Sequence, residues 1–185
     1  MSKALTLFIP KTGIEVNMPP QAIMLDAIRE SCIQFCKLSN VWKEWLDPIA
    51  VSTTQRVIDV EHPDKARITK ILNGRFYTDP LVQTVLTPIL PNKADEDYPG
   101  WDVDLSGDPE AIFLRSDDEI RLAPHPSTAG YVVLEAVLRP SEDSTSVADV
   151  LYLAHAQAIA NGAKAHLMAQ TGVDWSNPGR AAQLK

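Results

Sequence analysis

The chain has 185 residues, 45% of them hydrophobic and 22% charged, which is enough for a packed core without staples and too apolar for wholesale disorder. Seventeen Lys and Arg stand against 24 Asp and Glu, a net charge of −7, which argues against a general binder of the nucleic-acid backbone because counterion release needs clustered cations. Fourteen prolines against eight glycines predict stiff connections, and the length predicts one domain over residues 1–185, or at most two small ones.

Residues 1–48 are expected to form an arm and a helix. "ALTLFIPKTGIEVNMPPQ" opens with a short apolar segment ended by Pro10 and reads as extended. Pro19 and Pro20 introduce "QAIMLDAIRESCIQFCKLSNVW", where Met24, Ile28, Cys32, Phe35 and Leu38 recur at helical spacing. Cys32 and Cys36 are the only cysteines. Four residues apart on one helix, their side chains have directions poor for a disulfide, so both are expected reduced. Trp42 and Trp45 follow at i,i+3 and are expected to close a core.

Residues 49–140 read as the β-rich part. "AVSTTQRVIDVEHPDKARITKILNGRFYTDP" suggests two or three strands with turns at His62-Pro63-Asp64 and at Asn73-Gly74, a dipeptide that tolerates positive φ. Residues 80–110 hold five prolines and an acidic cluster, and are expected to form a long loop that serves as a contact surface. "AIFLRSDDEIRLAP" predicts a hairpin turning at Ser116-Asp117-Asp118, with "YVVLEAVLRP" as its neighbour. That last strand is apolar on both faces, with Val132, Leu134, Ala136 and Leu138 on one and Tyr131, Val133 and Val137 on the other, which places it centrally in a sheet. Pro124 and Pro126 fix a rigid strand end before it.

A long helix is expected over 146–172, with Ser146 and Asp149 as a short-acid capping box and Gly172 as the C′ residue. Eight alanines between Ala148 and Ala169, together with Gly162, thin its surface so that another helix can approach. In the tail, 173–185, Asn177 and Pro178 read as N-cap and N1 of a further helix, one that begins just before the given sequence stops at Lys185. Neither end carries a charged segment followed by a long apolar one, and no apolar run approaches 18 residues; a cytosol-like compartment is therefore expected.

Chemical motifs are sparse. Asp102, Asp104, Ser106, Gly107, Asp108 and Glu110 fall where a calcium loop places its ligands and turn glycine, but the last position is Phe113 instead of a bidentate Glu. His155 and His166 lie eleven residues apart, about 16 Å along a helix, too far to share a metal. Four dispersed histidines and two cysteines make no zinc set. No Gly-x-Ser-x-Gly elbow or phosphate-binding glycine loop is present. No enzymatic activity, cofactor or metal is expected, and the alternatives are a calcium-dependent β-sandwich binding module or a hydrolase with a convergent acid site.

The order of "FCKLSNVWKEW", "QRVIDVEHP", "ARITKILNGR", "EAIFLRSDDEIRLAPHP", "VVLEAVLRPSEDST", "LYLAHAQAIANGAKAHLM" and "DWSNPGRA" resembles the head-to-tail adaptor proteins of tailed bacteriophages, short-tailed ones in particular, over roughly residues 18–180. The chain departs from that pattern by ending where another helix usually follows and by its acidic, Pro-rich 80–110 segment. The resemblance implies an α+β fold, with an N-terminal helix and a long C-terminal helix packed beside an antiparallel β-sandwich-like domain. It also implies a virion protein of the head-tail junction, made in the host bacterial cytoplasm. Such a protein forms a ring of about twelve copies below the portal protein, extends the DNA channel without sequence-specific binding and without a membrane, and offers a platform to tail tube, nozzle or fibre-attachment proteins. A tail-completion or neck protein further from the portal is the nearest alternative. On this reading ring contacts are expected at Ala154, Ala158, Asn161, Gly162 and Ala165. Contacts with other virion proteins are expected at Tyr98, Trp101, Trp175, Pro178, Arg180 and Lys185.

Overall fold

The computed structural model describes residues 2–13, 18–61, 65–79, 82–101 and 106–184. In chain order these form β1 (Ser2–Ala4), a 3-10 turn (Leu5–Phe8), α1 (Ile9–Thr12), α2 (Gln21–Ser39), β2 (Lys43–Trp45), β3 (Ile49–Val51), β4 (Ile58–Asp59), β5 (Ala66–Asp79) and β6 (Val82–Pro88). There follow α3 (Pro91–Asp97), β7 (Ser106–Gly107), β8 (Ala111–Ser116), β9 (Glu119–Ala123), β10 (His125–Pro126), β11 (Gly130–Pro140), β12 (Ser146–Ala148), α4 (Asp149–Ala169) and α5 (Pro178–Gln183). The fold is α+β, as expected, with a mostly antiparallel sheet and a long C-terminal helix. The elements divide into two compact units, Met1–Trp42 with Arg139–Lys185, and Lys43–Leu138.

The first unit is helical. The N-terminal arm is not extended: Leu5 and Phe8 sit three apart, the spacing that stacks side chains on one edge of a 3-10 turn, and both are buried. Phe8 meets Tyr152 of α4 edge-on at 5.2 Å, while β1 pairs antiparallel with β12. That pairing moves the expected start of the long helix. Residues 146–148 are held in a ladder, so α4 begins at Asp149 with no side-chain cap. It ends at Ala169, and Gly172, at φ 76°, lies three residues beyond it. Twenty-one residues give a rod about 32 Å long.

On α2 the buried stripe is Met24, Ala27, Ile28, Cys32, Ile33 and Cys36. Leu38, expected on that stripe, is 83% exposed, because the core face continues from Cys32 to Cys36 and Leu38 lies two residues past it. Both cysteines are free and buried. Trp42 is buried as expected. Asn177 caps α5 as expected, its Oδ1 accepting from the Arg180 amide at 3.0 Å, and the Asn177 amide donates to the Met168 carbonyl, which ties α5 to the end of α4.

The second unit is built on an eight-stranded sheet in the order β2-β11-β5-β6-β8-β9-β4, with β3 also on β11. The β8–β9 hairpin turns at Asp117-Asp118, as expected. β11 is central, with Val132, Leu134, Ala136 and Leu138 fully buried, but its neighbours are β2, β3 and β5, not the hairpin. Asn73-Gly74 makes no turn. β5 runs through it because the strand crosses tight packing there, where a Cβ on Gly74 would stand 3.1 Å from both Ile112 Cγ2 and Leu86 Cβ. The expected turn at 62–64 lies outside the described residues.

Nor is 80–110 one long loop. Residues 82–88 continue the sheet as β6, antiparallel to β5 and then parallel to β8, while Pro91 supplies the preset N1 of α3. Trp45, expected in a core, is 49% exposed, since β2 pairs only with β11 and its outward face is uncovered.

Candidate functional site

In the first unit, α2 and α4 lie close enough for the Ser31 hydroxyl to donate to the Ile159 carbonyl at 2.7 Å. Gly162 makes this approach possible, because a Cβ there would collide with Ser31 Oγ. The thin surface foreseen on the long helix therefore receives α2 of the same chain. Of the five residues expected at ring contacts, Gly162 and Ala165 are engaged within the unit, Ala165 being buried. Asn161 is half-buried and accepts from Gln157 Nε2 at 3.0 Å. Ala154 and Ala158 are exposed. They share an outward stripe with Val150 and Leu153, the latter 73% exposed, spaced 0, 3, 4 and 8 residues along the helix. Beside this stripe is an apolar groove of about 570 Å³, whose lining includes Phe35, Leu38, Ala158, Ala169 and Leu184.

The residues expected to meet other proteins divide differently. Trp101 packs edge-on against Phe113 at 4.8 Å, donates from Nε1 to Asp95 Oδ1 at 2.9 Å and lies under the Arg121 guanidinium. With Tyr98 and Ile89 it covers the cluster of Ala94, Ala111, Phe113 and Ala123, so it anchors α3 to the sheet. Burial and the adjacent Glu110 carboxylate push the Tyr98 phenol up from its usual range. Trp175 is half-buried, with Nε1 donating to Gln170 Oε1 at 3.1 Å. Pro178 and Arg180 are exposed, and Lys185 lies outside the described residues.

A further surface went unnoticed in the sequence. Ladder alternation brings Trp45 opposite Glu135, Tyr131 opposite Ala50 and Arg75 opposite Val85. Arg75 stands 5.3 Å over the Trp45 ring, and Val85 is 70% exposed. Pro48, Tyr77, Tyr131 and Val133 line an open apolar depression on this face. Trp, Tyr and Arg in such company are the residue types that dominate interface energetics. Segment 82–88 carried no alternation that could have shown it, Val85 and Leu86 being adjacent apolar residues ahead of two prolines within four residues.

Among the described residues no three His, Cys, Asp or Glu side chains gather as metal ligands. Of the calcium-like positions, Asp102 and Asp104 lie outside the described residues, and Phe113, at the position of the missing Glu, is a core residue of β8. His125 is buried and hydrogen-bonds the Thr53 carbonyl at 2.7 Å. Burial pushes both thiols up, Cys36 to about 12, so they are poor nucleophiles. No described helix is long and apolar enough to cross a membrane. Compared with known proteins, the chain matches no family model and no curated sequence.

Proposed function

We propose that the chain is a head-to-tail adaptor of a tailed bacteriophage: a non-enzymatic virion protein that forms a homo-oligomeric ring below the portal, extends the DNA channel and carries the tail. The order of sequence segments supports this reading, and the observation that carries it is the outward stripe of α4. Val150, Leu153, Ala154 and Ala158 present a contiguous apolar surface to solvent, the kind of surface that marks association. The stripe adjoins the α2–α4–α5 groove. A stripe on one copy entering a groove on the next is a heterologous contact, and heterologous contacts close into rings by rotation. A net charge of −7 suits a conduit that DNA must traverse without being held.

Affinity capture of the tagged chain from its native source, with identification of what accompanies it, tests the reading. A portal protein and tail components are the expected partners. Recovery of the chain with neither contradicts it.

A further inference from the structure

The β5–β6 hairpin carries an aromatic depression near its turn and a proline segment at its other end. The depression, about 480 Å³, is lined by Pro48, Tyr77, Tyr131 and Val133, with Asp79 beside them, and Tyr131 is 55% exposed. Trp45, with Arg75 over its ring, continues the same face. Grooves of exposed aromatic rings are where polyproline segments dock, because such a segment has no internal hydrogen bonds to break and costs little entropy to hold.

The chain itself carries such a segment, Thr87-Pro88-Ile89-Leu90-Pro91. Both prolines and Leu90 are exposed, Leu90 by 69%. Proline fixes φ near −65°, and Leu90 stands at φ −85°, ψ 152°, close to polyproline values. Three residues make one turn of that conformation, which is the spacing of the two prolines. The segment is also held in place: Pro88 closes β6, the Ile89 amide donates to the Ile112 carbonyl at 3.0 Å, and Pro91 opens α3. Little order remains to be imposed on binding. It cannot reach the depression of its own copy. Tyr77 pairs with Gln83, and Pro88 lies five residues further along β6, about 17 Å away at strand rise.

We infer that the aromatic depression of one copy receives the Thr87–Pro91 segment of a second copy. The prolines and Leu90 cover the rings. Lys93, two residues past Pro91 and 3.9 Å from Asp97 of its own α3, comes to Asp79 beside the depression. Because two different patches meet, the contact is heterologous and closes into a ring by rotation. The inference rests on the self-association in the adaptor reading, to which it adds a contact through the second unit, and not on the portal or the tail.

Sedimentation of the whole chain, and fluorescence anisotropy with a labelled peptide of residues 86–93, test it together. Leu90→Asp preserves the start of α3, since Asp is a favoured N-cap, and Tyr131→Ala removes an exposed ring. Each is expected to leave the circular dichroism unchanged and to weaken self-association on the order of tenfold. Mixed in equal amounts, the two variants should associate more strongly than either alone, because each supplies the half that the other lacks. The peptide should bind the Leu90→Asp chain and fail to bind the Tyr131→Ala chain, and a control peptide with Ala for both prolines should bind severalfold more weakly. Self-association indifferent to both substitutions overturns the proposal and leaves the adaptor reading standing. Association that both substitutions weaken, in a chain whose capture brings no portal protein, removes the adaptor reading and keeps the contact. No binding of the peptide, or equal binding of both peptides, also overturns the proposal. So does peptide binding by a chain that stays monomeric at every concentration, since the occupant would then be another protein.

Discussion

Gly162 and Ser31 form a close approach between the long helices, and the pair can be weighed directly. Gly162→Ala is expected to destabilise the chain by about 1–3 kcal/mol through overpacking, read as a lower urea midpoint. Adding Ser31→Ala should recover part of that loss even though it removes the hydroxyl's hydrogen bond to Ile159; strict additivity of the two losses would show that they do not share the space. Leu153→Glu, on the outward stripe, should leave stability within about 0.5 kcal/mol while blocking assembly. The buried thiols provide a pH test. Their pKa values are raised in the folded chain, so the native state keeps protons that the unfolded state loses from about pH 8.5 upward. Their contribution is full below that pH and is lost as pH rises toward 12. A Cys32→Ala, Cys36→Ala variant should therefore show a shallower alkaline fall in stability than the parent; an identical fall would place its origin elsewhere. Single residues were the least legible part of the sequence. Trp101 reads equally as an anchor or an interface residue until Phe113 and Asp95 are seen on either side of it.

Helices with clear start signals were easily read. The Pro19-Pro20 pair precedes α2, and Asn177-Pro178 opens α5, because capping and preset φ act within a few residues. Asn177→Ala should cost about 1 kcal/mol, measurable by hydrogen exchange of the α5 amides, which would exchange faster; unchanged exchange would mean that the bond to Met168 holds the segment without the cap. What remained hidden is what depends on distant partners. The Ser146 start fails because residues 2–4 claim 146–148 as a strand. The Asn73-Gly74 turn fails because Gly74 is selected by the nearness of Ile112 and Leu86 rather than by its φ. Gly130 is similar: a Cβ there would collide with the Tyr77 carbonyl and stand 2.7 Å from Phe76 Cζ. Gly130→Ala should lower the stability of the sheet unit by about 1–3 kcal/mol, seen in the urea unfolding of Trp45 and Trp101 fluorescence.

For the molecule as a whole, the α+β class and the central position of β11 follow from hydropathy patterns that extend over many residues. The division into two units does not, since its boundaries at 42–43 and 138–139 fall at Trp42-Lys43 and inside β11 at Leu138-Arg139, with no Gly- or Ser-rich linker at either. The proposed function was legible only as resemblance, because association surfaces are encoded by no short motif. The outward stripe of α4, the groove next to it and the aromatic face of the sheet are all apolar surface that the described chain leaves open. The most direct measurement is the native mass and image symmetry of the particle captured with the tagged chain. A rotationally symmetric particle containing many copies of the 20.4 kDa chain together with a portal protein, and lost on Leu153→Glu, is the predicted result. A lone 20.4 kDa species with no portal protein, or a ring indifferent to Leu153→Glu, would contradict it.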